Sequence, residues 1–277
     1  MVVKKKREIF VVLLALVFMF ASVACGGGGG NSGSSNSGGD GGGPSTASAF
    51  SIYDQVNEAL SDVKSFAANT NMVMTMFMDG EATDMEMTGL IKMVTLSDTD
   101  VEMQIDVKTV LEGVDVDVNS FYKDGMYYVD TPDGKFYMEL PLVKMMEQAS
   151  AAQTLSFSEE AVMNQKVVDK NGGKELSFTL DGEALMDEMF AQLGDLASTL
   201  GLDENDMSFG DVEYVVFIDG QNNLKTTKTS FDMEMSMMGE TMTISSVTNL
   251  EFVQINDVTI DFPDDLDAYV LVDNTMF

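Results

Sequence analysis

The sequence predicts an α+β fold in which one antiparallel sheet of about ten strands carries about three helices. First, apolar and polar residues alternate with a period of two over long stretches after residue 70, which is typical of strands with one buried and one exposed face. Second, Asp-Gly and Asn-Gly pairs interrupt these stretches, as hairpin turns do. Third, apolar residues recur at helical spacing in three other segments.

Capping residues and apolar stripes predict the three helices. Ser51 is placed to cap a first helix over about 52–64, with Asp54 three residues later as in a capping box. Pro141 opens a second helix, because proline is favoured in the first turn. Asp181 caps the third. The apolar stripes are Ile52, Val56, Ala59, Leu60 and Val63, then Leu142, Met145, Met146 and Ala149, then Leu185, Met186, Met189, Phe190, Leu193, Leu196 and Leu200.

The first half of the sheet is predicted to be a meander of about six strands. Asp79-Gly80 separates the first strand from the second, and Asp124-Gly125 supplies a later turn. Because side chains of a strand alternate between its faces, each strand is expected to have one apolar and one polar face. The apolar positions are Met72, Met74, Met76, Met78, Met85, Met87, Ile91, Met93, Val101, Met103, Ile105, Val107, Val114, Val116 and Val118.

The second half of the sheet is predicted from one hairpin and three longer strands. Asn171-Gly172-Gly173 joins two short strands, and further strands are expected near 211–218, 224–237 and 241–255. In the middle one of these, Phe231, Met233, Met235 and Met237 share the apolar face, while Asp232, Glu234 and Ser236 share the polar face. The sheet is therefore expected to have methionines on one face in both halves.

The N-terminal residues predict export and lipid attachment. A basic segment at 4–7 precedes an apolar run at 9–20, which is too short for a membrane span and typical of a signal peptide. The following Ala21-Ser22-Val23-Ala24-Cys25 is similar to the bacterial lipobox, so we expect removal of residues 1–24 and a diacylated Cys25 that anchors the protein to the outer face of a bacterial membrane. The alternative is an ordinary cleavage site at 22–24 with an incidental cysteine.

The remaining chain divides into a linker and one domain. Residues 25–47 form a lipid-anchored linker, since 26–43 contain 11 glycines with serine, asparagine and aspartate, and such a segment is a flexible coil. Residues 48–277 show no internal linker and are long enough for a single core. We therefore expect one domain held away from the membrane.

The composition excludes several classes of function. The net charge of −31 repels nucleic acid, so no nucleic-acid partner is expected. Histidine is absent, which removes the commonest general base and the usual zinc ligand. We therefore expect no enzyme activity, no cofactor and no metal site. Ser61-x-x-Lys64 and Ser120-x-x-Lys123 have the spacing of a penicillin-binding serine and lysine, but neither comes with a Lys-Thr-Gly strand, so both are attributed to chance.

The order of elements resembles the LolA/LolB-type bacterial lipoprotein carriers and related extracellular lipoproteins. An initial helix ends in VKSF at 63–66, the FYKDGMYYVD turn lies at 121–130, a helical segment precedes the C-terminal hairpin, and INDVTIDFP lies at 255–263. The resemblance covers about 50–266. It implies a curved half-barrel sheet whose concave face carries the helices, with an apolar space between them that receives acyl chains. It carries no catalytic residues.

The methionine content also indicates that the protein binds an apolar ligand. The chain has 24 of them, and thioethers are flexible and polarizable, so a surface made of them adapts to apolar ligands of several shapes. We predict a lipoprotein that binds an apolar ligand, most simply a lipid acyl chain. The alternative is that these side chains only fill space in the core. The predicted ligand-binding residues are Met72, Met74, Met76, Met85, Met87, Met233, Met235 and Met237.

Two other functions remain as alternatives. A lipoprotein that binds a protein partner or acts as a sensor subunit would use the acidic outer face of the sheet. Thioethers also select copper(I), but residues i and i+2 of a strand lie about 6.6 Å apart along its axis, and no histidine is present to complete a site. Copper binding is therefore the least favoured of the functions considered.

Overall fold

The computed structural model describes residues 47–61, 63–78, 80–97, 100–111, 113–132, 134–139, 161–186, 207–237 and 240–272. The expected signal peptide, Cys25, most of the expected linker and the helix expected from Pro141 lie outside these residues. So does the expected third helix beyond Met186.

Thirteen strands form one open sheet in the described part of the chain, three more than the ten or so expected. The unexpected strands include the two shortest, β9 and β13. The strands are β1 (Ser65–Met78), β2 (Glu81–Ser97), β3 (Asp100–Leu111), β4 (Val114–Lys123), β5 (Met126–Thr131), β6 (Gly134–Glu139), β7 (Val162–Lys170), β8 (Gly173–Leu180), β9 (Met207–Phe209), β10 (Val212–Ile218), β11 (Leu224–Met237), β12 (Glu240–Ile255) and β13 (Val270–Leu271).

The sheet consists of two meanders joined at its centre. Its order is β13-β6-β5-β4-β3-β2-β1-β12-β11-β10-β8-β7, with β9 beside β11. Strands β1 to β6 run outward in chain order, and β7, β8, β10, β11 and β12 run back from the opposite edge. The meanders meet where β12 pairs with β1. All the pairings are antiparallel except that of β13 with β6, which is parallel.

Helix α1 (Ala49–Ser61) begins one turn earlier than the sequence predicted. Ser48, not Ser51, caps it: the hydroxyl oxygen of Ser48 accepts the backbone N–H of Ser51 at 3.1 Å. The buried stripe shifts accordingly, because Tyr53 packs against Phe178 of β8, with 5.4 Å between ring centroids. The predicted stripe member Ala59 is exposed.

Two α-helical segments, not three, occur in the described residues. The second spans 182–186, and its predicted cap is confirmed, because the carboxylate of Asp181 accepts the backbone N–H of Ala184 at 3.0 Å. A single 3₁₀ turn, Leu266–Ala268, occurs near the C-terminus. Helix α1 packs on β7 and β8, at one side of the sheet.

The strand register assigns every side chain to one of two faces, and we call the face that carries Met72 the inner face. Met72 of β1 pairs with Met87 of β2 and with Thr248 of β12. Following the pairs outward places the even positions of β1 and the odd positions of β2 and β3 on this face. The predicted alternation of apolar and polar faces is confirmed for these strands.

The inner face is packed unevenly. From β8 through β10, β11, β12 and β1 to β2 it is a continuous core of buried apolar side chains that includes α1. On β3 to β6 most inner side chains are only half-buried. We call this second part the open half. Its half-buried apolar residues are Val101, Met103, Val107, Leu111, Val116, Val118, Tyr127, Val129, Phe136 and Met138.

The chain after β12 crosses the outer face of β1 to β6 as an outer strap, residues 256–272. Beside β1, the backbone N–H of Val258 donates to the hydroxyl of Ser65 at 3.2 Å. Beside β4, the rings of Phe262 and Phe121 lie 6.1 Å apart. The strap ends as β13 on the edge of β6. The outer face of β4 is therefore not polar throughout, contrary to the sequence prediction.

Lysines on the outer face hold the acidic strap. Lys135 Nζ lies 2.6 Å from a carboxylate oxygen of Asp265, and this hydrogen bond raises the pKa of Lys135. Lys123 Nζ lies 4.6 Å from the ring centroid of Phe262, within range of a cation–π contact. The outer strap therefore covers the outer face of the open half.

Candidate functional site

The structure places the predicted methionines in the core. Six of the eight, on β1, β2 and β11, are between 1% and 5% exposed: Met72, Met74, Met85, Met87, Met233 and Met235. Met76 is half-buried, and the side chain of Met237 lies outside the described residues. The face assigned to these side chains from the sequence agrees with the structure, while their role in ligand binding stays a prediction.

The register brings the two groups of methionines onto one face, with β12 between them. Met72 is paired with Met87, and Met74 with Met85. Met242 of β12, which the sequence prediction omitted, lies between Met78 of β1 and Met235 of β11. The alternation of Met242 and Ile244 with threonines was the signal that would have found it.

The inner face is uncharged across the open half. At inner positions of β3 to β6, the described residues are all apolar, glycine, hydroxyl-bearing or phenolic. Burial raises the pKa of Tyr127, with an opposing effect from its hydrogen bond to Ser120, so the phenol stays neutral at physiological pH. A ligand on this surface would meet no formal charge.

Two buried hydroxyl groups on the inner face have no hydrogen-bond partner among the described residues. They belong to Tyr122 of β4 and Thr227 of β11, whose residues are 1% and 3% exposed. Other inner hydroxyls are paired, such as Ser120, which donates to the carbonyl of Ile105 at 3.4 Å. An unpaired buried hydroxyl costs free energy.

The serine–lysine pattern in the sheet does not form a catalytic pair. Ser120 lies on the inner face, whereas Lys123 lies on the outer face, where its Nζ is 3.5 Å from a carboxylate oxygen of Glu102. Side chains on opposite faces of a strand cannot exchange a proton. Ser61 belongs to the last turn of α1, and its side chain lies outside the described residues.

A shallow polar cleft of about 500 Å³ lies at the far edge, between the β7–β8 turn and the β10–β11 turn. Its carboxylate Asp219 accepts the backbone N–H groups of Asn223 at 2.9 Å and Gln221 at 2.8 Å. The Asn223 bond is the main cause that lowers the pKa of Asp219 to about 2. Because the Asp219 carboxylate stabilises the β10–β11 turn to which it belongs, we interpret the cleft as the end of a hairpin and not as a ligand-binding site.

Neither a metal cluster nor a membrane-spanning helix is present in the described ranges. No three side chains from histidine, cysteine, aspartate and glutamate come close enough there to hold an ion together. None of the described helices has the length and apolar character needed to cross a bilayer.

Three solved structures are distantly similar to this fold. LprF from Mycobacterium bovis is 14% identical with a TM-score of 0.36, and the likeness covers 78% of this chain and 96% of that one. A putative outer membrane lipoprotein-sorting protein domain from Vibrio parahaemolyticus is 11% identical with a TM-score of 0.21, covering 73% and 89%. Lipovitellin is 9% identical with a TM-score of 0.33, covering 72% of this chain and 26% of that one.

The chain thus spans about a quarter of the lipovitellin chain. The LolA-type resemblance stands as a distant structural similarity only, with TM-scores below 0.5. No match is found among curated proteins.

The sequence of the domain itself matches one family. The matched residues, 48–268, begin just before α1 and include β1 to β12 and the 3₁₀ turn. The match thus takes in most of the chain, and the chain belongs to the family of unknown function DUF6612.

Proposed function

We propose that this chain is a membrane-anchored bacterial lipoprotein, not an enzyme, whose domain binds an acyl chain along the open half of the inner face. The observation that carries the proposal is the uneven packing of one continuous apolar surface. Half of the inner face is closed into a core, while the same surface on β3 to β6 stays partly exposed. A partly exposed apolar surface that continues across four neighbouring strands favours an apolar ligand.

The dimensions of the open half suit an acyl chain. Along β4, the accessible inner positions run from Val114 to Val118, a length of about 13 Å at about 3.3 Å per residue. Ser120 and Tyr122, further along the same face, are buried. One leaflet of a bilayer has a hydrocarbon depth of about 15 Å, half of the roughly 30 Å core. Most of an extended chain from a membrane lipid can therefore lie along this strand.

Methionines border the open half and can adjust to a ligand. Met87 pairs with Thr109 of β3, and Met85 pairs with Leu111. Because a thioether side chain changes rotamer at little cost, this border can repack when a chain enters. Each enclosed methylene contributes about 0.8 kcal/mol before the costs of ordering, so eight methylenes suffice for reversible binding.

We expect Val118→Asp to weaken binding of a fluorescent fatty acid at least tenfold. Val118 lies half-buried on the inner face of β4, and a carboxylate there would have to lose water wherever the ligand covers it. The measurement is a fluorescence titration of the full chain carrying Cys25→Ser, which removes the acylated cysteine.

The matched control for Val118→Asp is Val73→Asp. Val73 is 42% exposed on the outer face of β1, so its substitution should change the affinity less than twofold. Circular dichroism should show both variants folded. Absence of saturable fatty-acid binding in the parent chain, or equal losses in the two variants, would refute the proposal.

The lipid anchor is tested separately. Metabolic labelling with an alkyne fatty acid should mark the mature protein, and Cys25→Ser should abolish the label and release the protein from the membrane fraction. Loss of the anchor removes the two-chain attachment that holds such proteins stably at a bilayer. Label that survives the substitution, or a mature form that starts elsewhere, would contradict it.

A further inference from the structure

Four methionines lie side by side across one end of the inner face. Met235 of β11 is the register partner of both Met207 of β9 and Met242 of β12. Met242 is in turn the partner of Met78, the last residue of β1. We call these four residues the methionine row. It spans four neighbouring strands, so no sequence window contains it.

The geometry of the methionine row allows its sulfur atoms to converge. Directly opposed residues of antiparallel strands have Cβ atoms about 4.5–5.5 Å apart, and a thioether lies two bonds beyond Cβ on a flexible stem. Sulfur ligands at about 2.3 Å from an ion lie roughly 4 Å from each other. The separation of i and i+2 positions along one strand, which argued against copper, does not apply between strands.

The burial of the methionine row gives it both a dry interior and an entrance. Met235 and Met242 are 3% and 7% exposed, so their sulfur atoms are shielded from water. Met78 and Met207, at the two ends of the row, are half-buried. An ion can therefore reach the row at a partly exposed thioether and be held at the buried ones.

The chemistry of the row is selective. Thioether sulfur is neutral and soft, and it prefers copper(I) to hard ions such as magnesium and calcium. Glu81 of β2 is the register partner of Met78 and is exposed at the rim, where its carboxylate partly compensates a single positive charge. The net charge of −31 raises the local concentration of cations around the whole chain.

We propose that the methionine row is a binding site for a soft monovalent cation, copper(I), held by two or three thioether sulfurs. The site needs neither histidine nor cysteine. It lies at the end of β1 and β11, whereas the acyl-binding surface lies on β3 to β6, so the two proposals stand independently.

The test is a copper(I) titration of the full chain carrying Cys25→Ser, without oxygen and against a competing copper(I) chelator. The Cys25→Ser background removes the sulfur of Cys25, which, if not acylated, would itself bind copper. We expect one ion per chain, and an affinity at least tenfold lower in the double variant Met235→Leu with Met242→Leu. Leucine is close to methionine in volume, so the fold should persist, as circular dichroism would check.

The control is the double variant Met126→Leu with Met163→Leu. These methionines are half-buried on β5 and β7, away from the row and from the predicted ligand-binding residues, and their replacement should leave copper affinity unchanged. The single variants Met78→Leu and Met207→Leu, at the half-buried ends, provide the same test if the double variant is unstable. Failure of the parent chain to compete with the chelator, or equal losses in row and control variants, would overturn the proposal.

Discussion

Met74→Asp is expected to lower the free energy of unfolding of the domain by about 4 kcal/mol or more. Met74 is 2% exposed and lies between Met85 of β2 and Ser246 of β12 in the closed part of the inner face. An aspartate there would bury a carboxylate without a cationic partner, at a cost of about 4 kcal/mol or more. Domains of this kind have a free energy of unfolding of about 5–15 kcal/mol. Urea unfolding followed by circular dichroism measures the loss.

Two controls separate the charge from the position. Met74→Leu keeps the volume and should cost less than about 1.5 kcal/mol. Val73→Asp puts the same carboxylate one residue away on the exposed outer face and should cost less than about 1 kcal/mol. If Met74→Asp unfolded at the urea concentration of Val73→Asp, the inner face would not be the core.

Gly173→Ala is expected to lower the free energy of unfolding by about 3 kcal/mol. A Cβ atom at this position would lie 2.1 Å from the carbonyl oxygen of Ile218 and 3.0 Å from Cα of Asp219. Both obstacles are backbone, and the next residue, Lys174, is the register partner of Ile218. Relief of the clash must therefore move β8 away from β10. The midpoint of thermal or urea unfolding reports the effect.

The neighbouring glycine supplies the matched comparison. Gly172 has a φ of +78°, and a Cβ there would meet nothing within 4 Å. Gly172→Ala should therefore lower the free energy of unfolding by only about 1 kcal/mol, the strain of an alanine in the left-handed region. Equal losses in the two variants would mean that backbone conformation, and not the closeness of β8 to β10, makes glycine necessary at 173.

The alternation of residues predicted the local structure well, because it depends only on neighbours in the chain. The hairpin between β4 and β5 turns at Asp124 and Gly125, whose φ values of 52° and 77° are those of the expected tight turn. The assignment of Met85 and Met87 to the buried face followed from the same period. Short-range rules of this kind need no knowledge of which strands pair.

The sequence-based predictions were wrong where a contact joins distant parts of the chain. The outer face of β4 was expected to be polar, but Phe121 is buried there against the strap residue Phe262. The two-residue strand β13 has no periodicity to detect and exists because the strap leads it to β6. Ser51 and Ser48 are both serines and can both cap a helix, so the sequence does not distinguish them. Ser48 is the cap in the structure, where Tyr53 packs against Phe178.

The candidate sites also include features that the sequence can predict from single strands and features that depend on which strands pair. The methionine stripes could be found in single strands, but the methionine row depends on the register among β9, β11, β12 and β1. The distinction between the closed and open halves could not be predicted at all. Val107 on β3 and Val216 on β10 occupy similar alternating patterns, yet only Val216 is fully buried.

Because β1 pairs with β12, the centre of the sheet can form only after β12 has been synthesised. Phe66 pairs with Ile255 and Met78 with Met242, so the first strand of the domain waits for the last long one. Contacts this distant in the chain make folding slow. An emerging chain therefore presents the unpaired edge of β1, a site for aggregation, until nearly all of it has been synthesised. A chain cut short before β12 would lose the centre of its sheet, and we expect such a product to be degraded.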